Sequence, residues 1–284
     1  MSKVAIVTDS TSNLPDDLVS QYSIHTIPLQ LIWAGDNYRD GLDITPLEFY
    51  TRLKTAKEMP SSSQPSPAAF QRVYTELLEQ GYDIVSIHIS SKLSGTLDSA
   101  IQAKNTLGTD RIALIDSASA SMALGFLVLT AARAVRDGAS FDEVVRITES
   151  AVPRTGVFFV VSTLEFLHRG GRIGGAAAFL GTALGLKPIL MVNNGRVDAK
   201  EKVRTMNKAL NRVTDILVEN VGSQKIHLSV LHANAPDEAE LLLQNAKDHL
   251  PPGSIVESLI TPVSPVIGTH TGPGTVGFAY MLGD

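Results

Sequence analysis

There is no cysteine among the 284 residues. That absence excludes a disulfide framework, a thiolate metal site and a thiol nucleophile. No apolar run is long enough to read as a membrane helix. The longest, 176–192, is interrupted by Gly181, Gly185, Lys187 and Pro188. The formal net charge is −5, which argues against general nucleic-acid binding. The turn after the strand at 84–89 lacks the Gly-Lys-Ser/Thr ending of a nucleotide-binding P-loop, the glycines of 170–175 lack strict G-x-G-x-x-G spacing, and no acidic cluster suits magnesium. The opening Met1-Ser2-Lys3-Val4-Ala5-Ile6-Val7-Thr8-Asp9 reads as a strand and an acidic turn, not a signal peptide. A cytoplasmic location is therefore expected, with no stable membrane insertion.

What is present describes a globular chain with ample core: 44% hydrophobic and 19% charged residues. Its length fits two domains at roughly 100–200 residues each. Charge is uneven, with nine Lys/Arg against two Asp/Glu between His168 and Arg212. Such a window reads either as a solvated basic face or as a surface receiving an anion or acidic partner.

The first half alternates strand and helix. Strands are expected at 4–8, 24–33, 84–89 and 112–115, with a short helix from Pro15. Thr45-Pro46-Leu47-Glu48 is a capping box with proline at the first helical position. Ser66-Pro67 opens a helix to about Gln80, and helices at 122–137 and 141–150 close the half. Repeated βα units with buried strands predict a parallel sheet. After Pro153-Arg154-Thr155-Gly156 the pattern changes. Strands are expected at 157–162, 188–192 and 226–231, a small-residue helix at 176–184, and helices at 202–221 and 236–249. Asn193-Asn194-Gly195-Arg196 has the composition of a hairpin turn. The tail from Ile255 reads as strand mixed with a Gly/Pro-rich loop. The expectation is an α/β protein of two domains, 1–153 with a parallel sheet and 154–284 with a mixed sheet.

The strand at 84–89 runs directly into Ser90-Ser91-Lys92-Leu93-Ser94-Gly95-Thr96 and then a helix. Backbone N–H groups at such a helix start lack partners. Ser94 and Thr96 offer hydroxyls beside a backbone freed by Gly95, which suits one small anion or a simple serine cap. Four further polar islands join it. They are Thr8-Asp9-Ser10-Thr11-Ser12, Ser61-Ser62-Ser63-Gln64-Pro65-Ser66, His168 to Gly175, and Ile267 to Gly274. They fall at loops, mostly after strands, where open α/β sheets bind ligands. Asp9 and Ser66 also read as helix caps. Arg172 sits among glycines that let backbone approach a ligand, and its fork suits a carboxylate or phosphate.

Taken together with Lys187-Pro188-Ile189-Leu190 and Lys202-Val203-Arg204-Thr205, these islands resemble the DegV family of bacterial lipid-binding proteins in order and spacing, over essentially the whole chain. The resemblance implies two domains enclosing one long-chain fatty acid. It implies no chemistry and no cofactor of the chain's own. The chain would be the binding subunit of a bacterial fatty acid kinase, presenting the carboxyl group to a separate ATP-using kinase subunit for acyl phosphate formation. By position, the carboxylate would meet Ser62 and Ser94, close to Ser63 and the Gly95 N–H, while Arg172 and His270 would lie at the mouth facing the kinase. The family usually has Thr-Ser-Gln-Pro where this chain has Ser62-Ser63-Gln64-Pro65, so a methyl is lost and the hydroxyl kept. Ala176, Ala177, Ala178, Gly181, Ala183 and Gly185 leave space for a tail, or serve close helix packing. The alternative is a serine hydrolase or acyltransferase with Ser94 as nucleophile and His270 as base, oriented by Asp9 or Asp116. A phosphate-ester or nucleotide-binding enzyme is a third reading, weakened by the missing phosphate motifs.

Overall fold

The computed structural model describes residues 3–182 and 185–283. Its first half runs β1 (Lys3–Asp9), α1 (Asp16–Gln21), β2 (His25–Ile27), β3 (Gln30–Trp33), β4 (Asp36–Arg39), α2 (Pro46–Leu53), β5 (Ser61–Ser63), α3 (Pro67–Glu79), β6 (Tyr82–His88), α4 (Thr96–Leu107), β7 (Ile112–Asp116), α5 (Met122–Arg136) and α6 (Phe141–Ala151). The second half runs β8 (Thr155–Val160), α7 (Glu165–Arg169), β9 (Lys187–Asn193), β10 (Arg196–Val203), α8 (Met206–Val221), β11 (Ile226–His232), α9 (Pro236–His249), β12 (Ile255–Pro262), α10 (Pro265–Thr271) and β13 (Val276–Leu282).

The fold is two-domain α/β. A parallel sheet, β2-β1-β6-β7, carries the first half. β1 and β6 occupy its centre and are buried along most of their length, as strands covered on both faces must be. The second half is built on the six-stranded sheet β10-β9-β8-β13-β11-β12, in which only β11 and β12 run parallel. It is a mixed sheet, as expected. α5 lies between the two sheets, touching β1 and β6 on one side and β8, β11 and β13 on the other. Its residues from Met122 through Leu129 are all buried, which explains why this part of the helix is apolar all round. One core cluster therefore runs through both halves.

The local signals hold where chemistry is local. The Thr45–Glu48 capping box forms, with Glu48 N donating to Thr45 Oγ1 at 3.3 Å and Thr45 N donating to Glu48 Oε2 at 2.8 Å. Ser66 caps α3 through Ala69 N at 3.3 Å.

Four expectations are corrected. The run 24–33 is not one strand. It breaks at Pro28-Leu29, so that β2 joins the parallel sheet while β3 forms a separate antiparallel sheet, β4-β3-β5. Proline has no N–H to continue a ladder. The helix expected from Lys202 starts at Met206, because Lys202 and Val203 still pair with Pro188 and Lys187 and Thr205 supplies the cap. The helix expected at 176–184 is a short 3-10 segment, Gly174–Phe179, docked on β10. Gly181 then takes φ +73°, where a helix cannot continue; residues 183 and 184 of that expectation lie outside the described residues. The Gly/Pro-rich tail contains a real helix, α10, with Pro265 in its first turn and Ser264 as its cap.

Candidate functional site

A cavity with about 890 Å³ of atom-free space, part of it open to solvent, lies between the two halves. Leu29, Ile89, Leu93 and Ala120 line it from the first half. Val157, Phe159, Val192, Val197, Leu231 and Val263 line it from the second. The alternation of β8 explains its contribution: Val157 and Phe159 face this cavity, while Phe158 and Val160 face the core under α8 and α9.

The polar part of the wall is one contiguous cluster. Ser62 stands on β5, held opposite Leu31 of β3. Its Oγ is 2.7 Å from Nε2 of His270, which α10 projects from the far end of the chain. The other ring nitrogen, Nδ1, is buried and has no hydrogen-bond partner. It abuts Gly170 so closely that a Cβ there would come within 2.1 Å. Glycine at 170 is thus required by the ring itself. The Gly170 carbonyl accepts from Nη1 of Arg172 at 2.7 Å, and Nε of Arg172 donates to the Leu93 carbonyl at 3.1 Å. Leu93 leads into Ser94, whose Oγ is 2.8 Å from Thr96 Oγ1 and accepts from Thr96 N at 3.3 Å. The side chain of Gln64 packs over Gly95, where a Cβ would come within 3.1 Å of its Nε2. Gln64 and Ser63 also line the cavity, which closes the ring back to Ser62.

Burial, followed by the charge on Arg172, pushes the His270 imidazole down to about 4. The ring is neutral near pH 7. If its proton sits on Nε2, it donates to Ser62 and the Ser62 hydroxyl is left to donate to an incoming acceptor. The remaining N–H groups of Arg172 have no protein acceptor among the described residues. Each of these groups therefore has donors to offer an anion.

The hydroxyls elsewhere on the wall are spoken for. Thr11 donates to Asp9, Ser121 to Asn13, Thr271 to the Ile267 carbonyl and Thr275 to the carbonyls of Thr271 and Gly272. The cavity is thus polar in its donors at one end and apolar in effect along the rest.

Of the residues expected from sequence, Ser62, Ser63, Ser94, Arg172 and His270 all line this cavity. Gly95 and Thr96 stand behind it; Thr96 is fully buried and braces Ser94. Of the two readings of the small residues from Ala176 to Gly185, tail space and close packing, the first finds no support, since no described residue of the stretch is on the wall. Ala176 is instead packed away beneath β10. Sequence reasoning missed Gln64's packing over Gly95 and nearly all the apolar wall, whose residues look like ordinary strand core.

The hydrolase alternative does not find its geometry. Ser94 pairs with Thr96, and His270 with Ser62. Asp9 is buried against His88 Nδ1 at 3.0 Å, and behind it His88 bonds Ser86 and Ser86 bonds Tyr74. Asp116 accepts from Ser91 and Ala118. Among the described residues, no carboxylate bonds the free Nδ1 of His270 to orient it as a base. Among the described residues, no group of three or more His, Asp or Glu is placed to hold a metal ion, and no helix is long and apolar enough to cross a membrane.

The fold and cavity define a two-domain α/β protein with a largely apolar cavity between its halves that carries hydrogen-bond donors at one end. Comparison with known proteins gives the class a name. The family profile described as "Uncharacterised protein, DegV family" matches residues 3–282, and the chain belongs to that family. A DegV domain-containing protein of Listeria innocua is 36% identical over 284 residues, covering 99% of either chain. A DegV family protein from Thermus thermophilus, described by its fatty acid binding, superposes with a TM-score of 0.93 at 39% identity, covering 99% of this chain and 100% of its own. DegV of Bacillus subtilis, described as a fatty acid binding protein, superposes with a TM-score of 0.89 at 33% identity, covering 99% of this chain and 100% of its own.

Proposed function

We propose that this chain binds one long-chain fatty acid and presents its carboxyl group to a separate kinase subunit. The observation that carries the reading is the division of the cavity into a donor-rich end and an apolar remainder. A carboxylate leaving water needs replacement hydrogen bonds; Ser62, Ser94 and Arg172 offer them, and His270 frees the Ser62 hydroxyl to donate by bonding its oxygen. Burying the chain contributes on the order of 0.8 kcal/mol per CH₂, so the tail supplies most of the affinity. The fatty-acid-binding relatives support this ligand class.

The chain acts as a carrier and not as the enzyme. In the transfer step a carboxylate oxygen attacks the terminal phosphorus of ATP held by the partner kinase, and ADP leaves. This chain's residues hold the carboxylate and balance charge. Arg172 is partly exposed beside Gly170 and Gly171, and in this reading it stands with His270 at the mouth where the kinase docks. The working unit is a pair of domains, 1–153 and 154–284, in the cytoplasm.

Denaturing extraction of the purified protein followed by mass spectrometry is expected to release about one fatty acid per chain. An empty protein that also refuses added oleate would sink the reading. Within it, Ser94→Ala should weaken fatty acid retention by about 1–3 kcal/mol, the loss of one donor to a buried charged group. Arg172→Ala should lower acyl phosphate formation with the kinase more than it lowers binding. Equal losses in both assays would make Arg172 a primary ligand contact instead.

A further inference from the structure

Asp40 follows β4 directly and is 2% exposed. Its Oδ1 accepts from Val266 N of α10 at 3.1 Å, and its Oδ2 accepts from Ser10 Oγ at 2.7 Å. The Ser264 hydroxyl that caps α10 bonds the carboxylate as well; all three donors are neutral, and Asp9 is the charged group that acts on it, with the same sign. A buried carboxylate without a cation is costly to a fold. Departures of this kind from local rules concentrate where a site demands them.

We infer that Asp40 is a positioning residue, whose carboxylate holds α10, and with it His270, against the strand that carries Ser62. The topology supports this. β3 pairs with β5 through Leu31 and Ser62, and with β4 through Gln30 and Arg39, the residue just before Asp40. Both members of the Ser62–His270 pair therefore hang from the same three-stranded sheet, one by strand pairing and the other through Asp40. A second grip comes from α2. Tyr50 Oη donates to the Val263 carbonyl at 3.1 Å, and Gly268 of α10 seats on the same hydroxyl, where a Cβ would approach to 2.3 Å. Ser10 extends the frame to the end of β1, since its Oγ also accepts from Leu29 N at 3.1 Å. A helix of seven residues has little rigidity of its own, so its orientation is set by these contacts.

The inference rests on the head-group reading of Ser62 and His270, but its first readout does not. In ligand-free protein, the His270 imidazole resonances, assigned by their loss in His270→Gln, are followed by NMR against pH. Asp40→Ala is expected to shift them and to move the ring's titration midpoint up towards that of a solvated histidine. Oleate affinity by calorimetry should fall at least ten-fold in Asp40→Ala, less in Asp40→Asn, which keeps one acceptor, and no further when Asp40→Ala is added to His270→Gln. Should Asp40→Ala fail to fold, Tyr50→Phe and Asp40→Asn carry the same comparison with smaller shifts. Unchanged His270 resonances, or losses that add fully in the double variant, would overturn the inference and leave Asp40 a stabilising residue only. Absence of oleate binding in the unsubstituted protein would overturn the ligand reading, while the ligand-free titration still decides the role of Asp40.

Discussion

A Val157→Phe variant is expected to lose long-chain fatty acid binding by at least 100-fold while folding normally. Val157 is in β8 on the face turned towards the cavity, not the face packed under α8 and α9. In a close-packed core the larger ring would force neighbours apart at a cost of about 1–3 kcal/mol. Here it enters space that the ligand-free protein leaves unfilled, so the fold is expected to keep its melting temperature. The ligand is displaced instead. The added atoms take roughly the room of four methylenes, worth on the order of 0.8 kcal/mol each, or about 3 kcal/mol in all. At about 1.4 kcal/mol per ten-fold, that exceeds two decades of affinity. Calorimetric titration with oleate beside a thermal melt checks both halves of the statement. Wild-type affinity in a normally folded variant would mean the acyl chain does not pass Val157.

The second large effect is on stability against pH, and it is visible only by difference. His270 is held down to about 4 from an ordinary 6.5 by burial and by the charge on Arg172. The unfolded chain therefore takes up a proton that the native protein refuses, and stability is lost as pH falls from about 6.5 towards 4. The full span is about 3 kcal/mol. Asp40 works in the opposite sense. Burial pushes its carboxyl up to about 6 from 3.8, so the native protein binds a proton before the unfolded chain does. Its contribution to stability rises as pH falls through nearly the same window, again by about 3 kcal/mol. The two largely offset each other in the unsubstituted protein. Removing the histidine by His270→Gln leaves the Asp40 contribution uncovered. The stability of the variant relative to the parent should then rise by about 3 kcal/mol between pH 7 and pH 4. Urea unfolding at pH 7, 5.5 and 4 measures that difference. Parallel stability curves for the two proteins would show that His270 titrates normally in the fold.

Much of this architecture is written in short-range patterns. The buried runs of β1 and β6, the Thr45–Glu48 box, the Ser66 cap and the apolar 122–137 segment each depend on residues a few positions apart, and each forms as read. Errors arose where a neighbouring element decides. Lys202 and Val203 satisfy a helical pattern, yet β9 offers them a ladder and they take it. Ser61–Ser63 has the composition of a loop and becomes a strand because β3 lies alongside. Residues 265–271 look like a Gly/Pro-rich loop, although Ser264-Pro265 carries the same signal as Ser66-Pro67 and could have been read the same way.

The two-domain α/β class, the family and five of the residues that line the donor-rich end of the cavity were legible in the order of residues alone. The class follows from composition and periodicity, while the family and the five residues follow from the order of motifs by which the chain resembles the DegV family. It takes the packed molecule to bring Ser62 to His270 across 208 positions, to seat the imidazole where Gly170 has no Cβ, and to carry Asp40 to the backbone of α10. The same packing sets which valines and leucines line a cavity and which fill a core. A β-strand residue is assigned to one face or the other by sheet register and by what the second sheet brings opposite, and hydrogen bonds between distant elements exist only once both are packed.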